Sequence, residues 1–93
     1  MILHIIQNPK KLAQALPLLA TGDQLVFIDD GVYATVNGTE EGKTLVDSGI
    51  ASHALDTALQ LRGLPLGHTV SQVVTMAEFV RLVMQADKTL SWY

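Results

Sequence analysis

Ninety-three residues with a net charge of −3, of which 48% are hydrophobic and only 16% charged, predict one domain with a small core and more apolar surface than a monomer this size should expose. The chain has no cysteine, which excludes a thiolate nucleophile, a zinc–thiolate site, an iron–sulfur cluster and any persulfide carried on the chain itself. Six scattered Lys and Arg side chains form no basic stripe, so direct nucleic-acid binding is not expected.

Residues 1–6 form a β-branched and apolar run, the pattern of a strand buried on both faces. Asn8-Pro9 reads as an N-cap with a first-turn proline, and Leu12, Ala15, Leu16 and Leu19 follow at helical spacing until Pro17 shortens the last turn. Residues 25–28 are the second strand, residues 32–36 a single helical turn, and the polar stretch 39–48 is expected to be a mobile loop. A third strand over 50–55 leads into a short helix capped by Asp56 and ending at Arg62-Gly63. Residues 70–74 are a fourth strand, and Thr75 with Glu78 spells a capping box opening a helix whose Phe79, Val80, Val83 and Met84 share one face. The chain runs out through a short fifth strand ending on Trp92-Tyr93. Alternation of strands with helices predicts an α/β fold, a parallel-sheet sandwich with helices on both faces.

In such a sheet, ligands bind outside the carboxyl ends of the strands, where Asp29 and Asp30 fall, with Gln7, Asn8, His53 and Thr75 nearby. The Asp-Asp-Gly string reads as a turn, with one Asp capping the next helical turn and Gly31 at positive φ. It also reads as a ligand or partner contact, and as a metal or acid–base site. No phosphate loop, no serine-hydrolase elbow and no histidine spacing for a metal accompanies it. His4, inside the first strand, is expected to be a core histidine with bonded ring nitrogens; His53 sits where a partner contact is expected, and His68 in an exposed turn. The two terminal aromatics either lock the last strand or anchor an interface. Met1-Ile2-Leu3-His4 lacks a secretory signal, and the longest uncharged run, residues 63–77, is too polar for a bilayer, so a cytoplasmic chain with no membrane contact is expected.

Several strings in fixed order resemble the DsrH/TusB family. They are Leu3-His4 with Asn8-Pro9; Gly22-Asp23 followed by Asp30-Gly31-Val32, Ala34 and Gly38; Ala54-Leu55 with Leu59 and Arg62-Gly63-Leu64; residues 78–82; and Trp92-Tyr93. The resemblance spans nearly the whole chain and implies a single DsrEFH-like, Rossmann-like domain over residues 1–93. It implies a subunit of a TusBCD-like sulfur relay that supports 2-thiolation of a tRNA wobble uridine. TusC-like and TusD-like partners would join it in a dimer of heterotrimers, with the sulfur-accepting cysteine on the D-type chain and no cofactor on this one. Asn8 and Ala58 depart from the family pattern, and residues 39–48 do not match it.

Sulfur relay requires a thiolate to attack the donor, so the chain is expected to be non-catalytic, a positioning subunit. Its expected partner-facing residues are Tyr33, His53, Leu59, Leu61, Leu82, Trp92 and Tyr93, with Leu3, His4, Asp30, Gly31, Val32, Arg62 and Gly63 as family-motif positions of structural role. The alternatives are a small α/β enzyme or ligand-binding module using Asp29, Asp30, His53 and His4, a DsrEFH-type subunit in sulfur oxidation, and a chain that self-associates in isolation.

Overall fold

Five parallel strands, β1 (Ile2–Ile6), β2 (Gln24–Phe27), β3 (Ser52–Leu55), β4 (Gln72–Val74) and β5 (Lys88–Trp92), lie in the order β4-β3-β2-β1-β5 in the computed structural model, which describes all 93 residues. Between β1 and β2 runs α1 (Leu12–Ala15), flanked by 3-10 turns at Pro9–Lys11 and Leu16–Leu18, the second built around Pro17. A 3-10 helix (Asp29–Thr35) and α2 (Glu40–Ser48) join β2 to β3, α3 (Asp56–Leu61) leads toward β4, and α4 (Met76–Gln85) returns to β5.

Strands β1 to β4 step across the sheet in one direction, so right-handed crossovers place α1, the 3-10 helix, α2 and α3 on the same face. The core confirms it: Ile6, Leu25, Phe27 and Ala54 of the sheet pack with Leu12, Ala15, Val32, Ala34, Leu45, Ala58 and Leu59. The crossover from β4 to β5 runs back the other way and carries α4 onto the opposite face by itself. The sheet therefore has helices on both faces, three α-helices and the 3-10 helix on one and α4 alone on the other.

Several local expectations are corrected. Residues 39–48 are a helix, with Thr39 as N-cap accepting the Gly42 amide, Glu40 and Glu41 favourably placed in its first turn, and Leu45 anchored in the core. Gly42 disguised it: a Cβ there would overlap the Val36 carbonyl, so a residue that reads as a loop former is required by close packing. Gly31 is a similar case, with a φ that is not positive and a Cβ position that coincides with the Ile6 carbonyl. The left-handed residue is Asp29, at φ 48°. Neither Asp29 nor Asp30 caps the 3-10 helix through its side chain.

Leu59, expected at an interface, is only 1% exposed and belongs to the core. Leu82 is half-buried over the sheet. Conversely Val80, Val83 and Met84, expected to pack inward, are exposed, Met84 at 78%. Phe79 packs toward the core, while Met76, Val80, Val83 and Met84 turn outward, at spacings of four, three and one.

Candidate functional site

The residues expected to matter fall into three places, each set by the sheet's register. His4 pairs with Leu25, and Leu25 with Ser52, so these three side chains share the helix-rich face; His53, one position on, points to the opposite face. His4 and His53 therefore cannot serve one site.

His4 is buried at the centre of a hydrogen-bonded chain. The Trp92 indole Nε1–H, which can only donate, reaches His4 Nδ1 at 3.2 Å, so Nε2 carries the ring proton and faces Asp23 Oδ2 at 3.4 Å. Asp23 Oδ1 accepts the Ile2 amide at 2.9 Å, and Oδ2 accepts the Ala20 amide at 3.0 Å. These backbone donors, with His4 behind them, hold the Asp23 carboxyl below the ordinary carboxylate range. The chain ties the start of β1, the end of the first crossover and the last strand together. Its chemistry is structural, because every polar atom in it is spent on another and none faces a ligand space. In the sequence Asp23 stands out only as part of the Gly22-Asp23 family string; of its partners the Ala20 amide is local, whereas His4 and Ile2 lie 19 and 21 residues away.

At the carboxyl ends of β1 and β2, an open cavity of about 400 Å³ is lined by Gln7, Asn8, Pro9, Asp30, Tyr33 and Tyr93. Asp30 is 70% exposed and accepts Arg62 Nε and Nη2, both at 2.9 Å, while Arg62 Nη1 donates to the Ala58 carbonyl at 3.0 Å. Two of the family-motif segments, Asp30-Gly31-Val32 and Arg62-Gly63, are thus clamped together across the end of the sheet. Gly31 lies directly against the Ile6 carbonyl, Val32 is in the core, and Asp29 is exposed. A small enzyme would need at least three of Asp29, Asp30, His4 and His53 in one closed pocket. The cavity holds only Asp30, and no three His, Asp or Glu side chains gather as metal ligands anywhere in the chain.

On the α4 face, His53 Nε2 meets Gln24 Oε1 at 2.8 Å, and its buried Nδ1 has no partner. Burial pushes the imidazole below its usual range, partly opposed by Glu78. His53, Gln72, Val74, Glu78, Arg81, Leu82 and Gln85 line an open cavity of about 190 Å³ between α4 and the sheet. Outside this cavity lie the exposed Met76, Val80, Val83 and Met84, so the second face of the sheet ends in an apolar stripe. Of the other expected contact residues, Leu61 is 84% exposed, Tyr33 and Tyr93 are exposed, and Trp92 is half-buried against His4; His68 is exposed in its turn, as its position in the sequence suggests. No helix is long and apolar enough to cross a membrane.

The model of the DsrH-like protein family matches residues 7–89. The chain is 36% identical over 78 residues to Protein TusB of Photorhabdus laumondii, covering 81% of this chain and 80% of that one. To Protein TusB of Shigella dysenteriae it is 33% identical over 82 residues, 86% of this chain and 85% of that protein. Among solved structures, YchN of E. coli superposes with a TM-score of 0.77 at 18% identity over 98% of this chain and 97% of that one, a likeness of fold.

Proposed function

The chain belongs to the DsrH-like family, and from that premise we propose that it is a non-catalytic subunit of a TusBCD-like sulfur relay supporting 2-thiolation of the tRNA wobble uridine. The observation that carries this reading is the absence of cysteine from a member of the family. Relay of sulfane sulfur proceeds by thiolate attack on a persulfide, and a chain without a thiol cannot take that step. Its contribution is then to position TusC-like and TusD-like partners, with the accepting cysteine on the D-type chain and the whole arranged as a dimer of heterotrimers.

Surface chemistry supports the same reading. The outward stripe of α4 and the exposed Leu61, Tyr33 and Tyr93 are apolar or aromatic groups of the kind that interface cores favour. Tyr33 and Tyr93 lie beside Asp30 at that end of the sheet, two exposed aromatic side chains for a partner to meet. Co-expression with C- and D-type chains tests the proposal: this chain should co-purify with both in one assembly of fixed stoichiometry. A chain that elutes alone beside both partners contradicts it.

A further inference from the structure

We infer that β5 is a self-pairing edge, through which two copies of this chain join antiparallel across a two-fold axis into one continuous sheet. The two edges of the sheet are built differently. On one side β4 is three residues long, and the backbone just before it is engaged by the 3-10 segment, with the Val70 amide on the Thr35 carbonyl and the Asn37 amide on the His68 carbonyl. On the other side β5 runs for five residues, pairs only with β1, and carries no proline or bulge; Lys88 is its one charged residue. Natural edges are normally shortened, covered or interrupted, and this one is open.

The register defines what the open edge offers. The Trp92 carbonyl accepts the Gln7 amide, so Trp92 faces β1, and by alternation so do Leu90 and Lys88. The N–H and C=O groups of Thr89 and Ser91 therefore point away from the sheet with no strand beyond them. An antiparallel pairing centred on Leu90 places Thr89 of one copy opposite Ser91 of the other, both with outward backbone groups, so each such pair exchanges two N–H···O bonds. Leu90, 40% exposed, then meets Leu90 of the second copy as a non-hydrogen-bonded pair.

The side chains agree with that register and the strand is self-complementary. On the face shared with His4, Lys88 comes opposite Trp92 of the other copy, an ammonium beside an indole, with the leucines between them. On the other face, Thr89 meets Ser91, a hydroxyl pair able to hydrogen-bond. A shift of one residue would set Thr89 against Leu90 and break both matches. The contact needs only this chain, so it stands or falls separately from the relay role.

Single-cysteine variants give a direct test, because the native chain has no thiol to confuse the result. In the paired register the Cα atoms at position 90 would lie about 4.5 Å apart, within the range of roughly 4.4–6.8 Å that a disulfide spans. Under mild oxidation Leu90→Cys should give a covalent dimer, whereas Thr89→Cys, also exposed but facing Ser91, should cross-link at least tenfold more slowly. Ser91→Pro removes an outward amide without touching the β1 ladder. It should raise the dimer dissociation constant, measured by sedimentation equilibrium, at least tenfold while leaving the far-UV circular dichroism unchanged. A wild-type chain that sediments at 10.1 kDa across a micromolar series, or equal cross-linking at 89 and 90, overturns the inference. So does a monomer in which Ser91→Pro weakens only assembly with relay partners, since that would assign the edge to a partner strand.

Discussion

Leu59 and Leu61 sit two residues apart on α3, and the structure assigns them opposite fates. Leu59 is 1% exposed within the core, whereas Leu61 is 84% exposed. Leu59→Ala removes three carbons from a filled space. At about 0.8 kcal/mol per buried CH₂ the transfer loss is about 2.4 kcal/mol. The unfilled cavity adds to it, giving about 3 kcal/mol, inside the usual range of about 2–5 for such truncations. A domain this size has roughly 5–14 kcal/mol in all, so the loss is a large share of its stability. The melting temperature should fall by roughly 12–24 °C at about 4–8 °C per kcal/mol. Leu61→Ala should change stability by less than about 0.5 kcal/mol and weaken binding to partner chains if that side chain faces one. Urea denaturation followed by circular dichroism reads both variants. A Leu59→Ala protein that unfolds within about 1 kcal/mol of wild type yet loses its partners would refute this placement of α3.

Gly31→Ala forces a methyl into the Ile6 carbonyl and should destabilise by more than about 2 kcal/mol or prevent folding, read by soluble yield and thermal melting. Asp30→Asn loses an exposed ion pair worth at most about 1 kcal/mol and should leave relay activity intact; lost activity with an unchanged melt would make Asp30 part of the working surface. The lowered Asp23 group supplies stability that is present above its unfolded value near 3.8 and disappears as pH falls through its folded value, so Asp23→Asn should flatten the acid limb of a stability profile. His53 is also lowered, so below about its unfolded value of 6.5 the unfolded chain takes up the proton first and stability declines; His53→Gln should remove that portion of the slope. Trp92→Phe keeps an aromatic ring but leaves His4 Nδ1 unpaired in a buried site, which should cost about 1–3 kcal/mol in chemical denaturation.

The strands, the capping box at Thr75 and the overall alternation were legible in sequence, because β-branched runs and cap residues act locally. The exact boxed geometry is present, with Thr75 accepting the Glu78 amide and Glu78 accepting the Thr75 amide. What escaped was decided by contacts distant in sequence. Helix α2 was hidden by Gly42, whose reason for being glycine is the Val36 carbonyl against it. The inward and outward sides of α4 were misjudged because apolar residues surround much of the helix, and period alone cannot say which side a sheet will cover. His4 was read as a bonded core histidine, but its partners Asp23 and Trp92 come from elements 19 and 88 residues away. The Asp-Asp-Gly string reads as a turn with one Asp as a cap, as a ligand or partner contact, or as a metal or acid–base site; the arginine that claims Asp30 arrives only when α3 folds over the sheet end.

The central claim is that this chain positions sulfur carriers without carrying sulfur. Radiolabelled sulfane sulfur supplied to a reconstituted mixture of this chain with C- and D-type partners, followed chain by chain on a non-reducing gel, tests it most directly. The label should appear on the D-type chain and pass onward only when this chain is present, while this chain stays unlabelled. Onward transfer that proceeds equally well without it, or turnover by this chain on its own, would contradict the account.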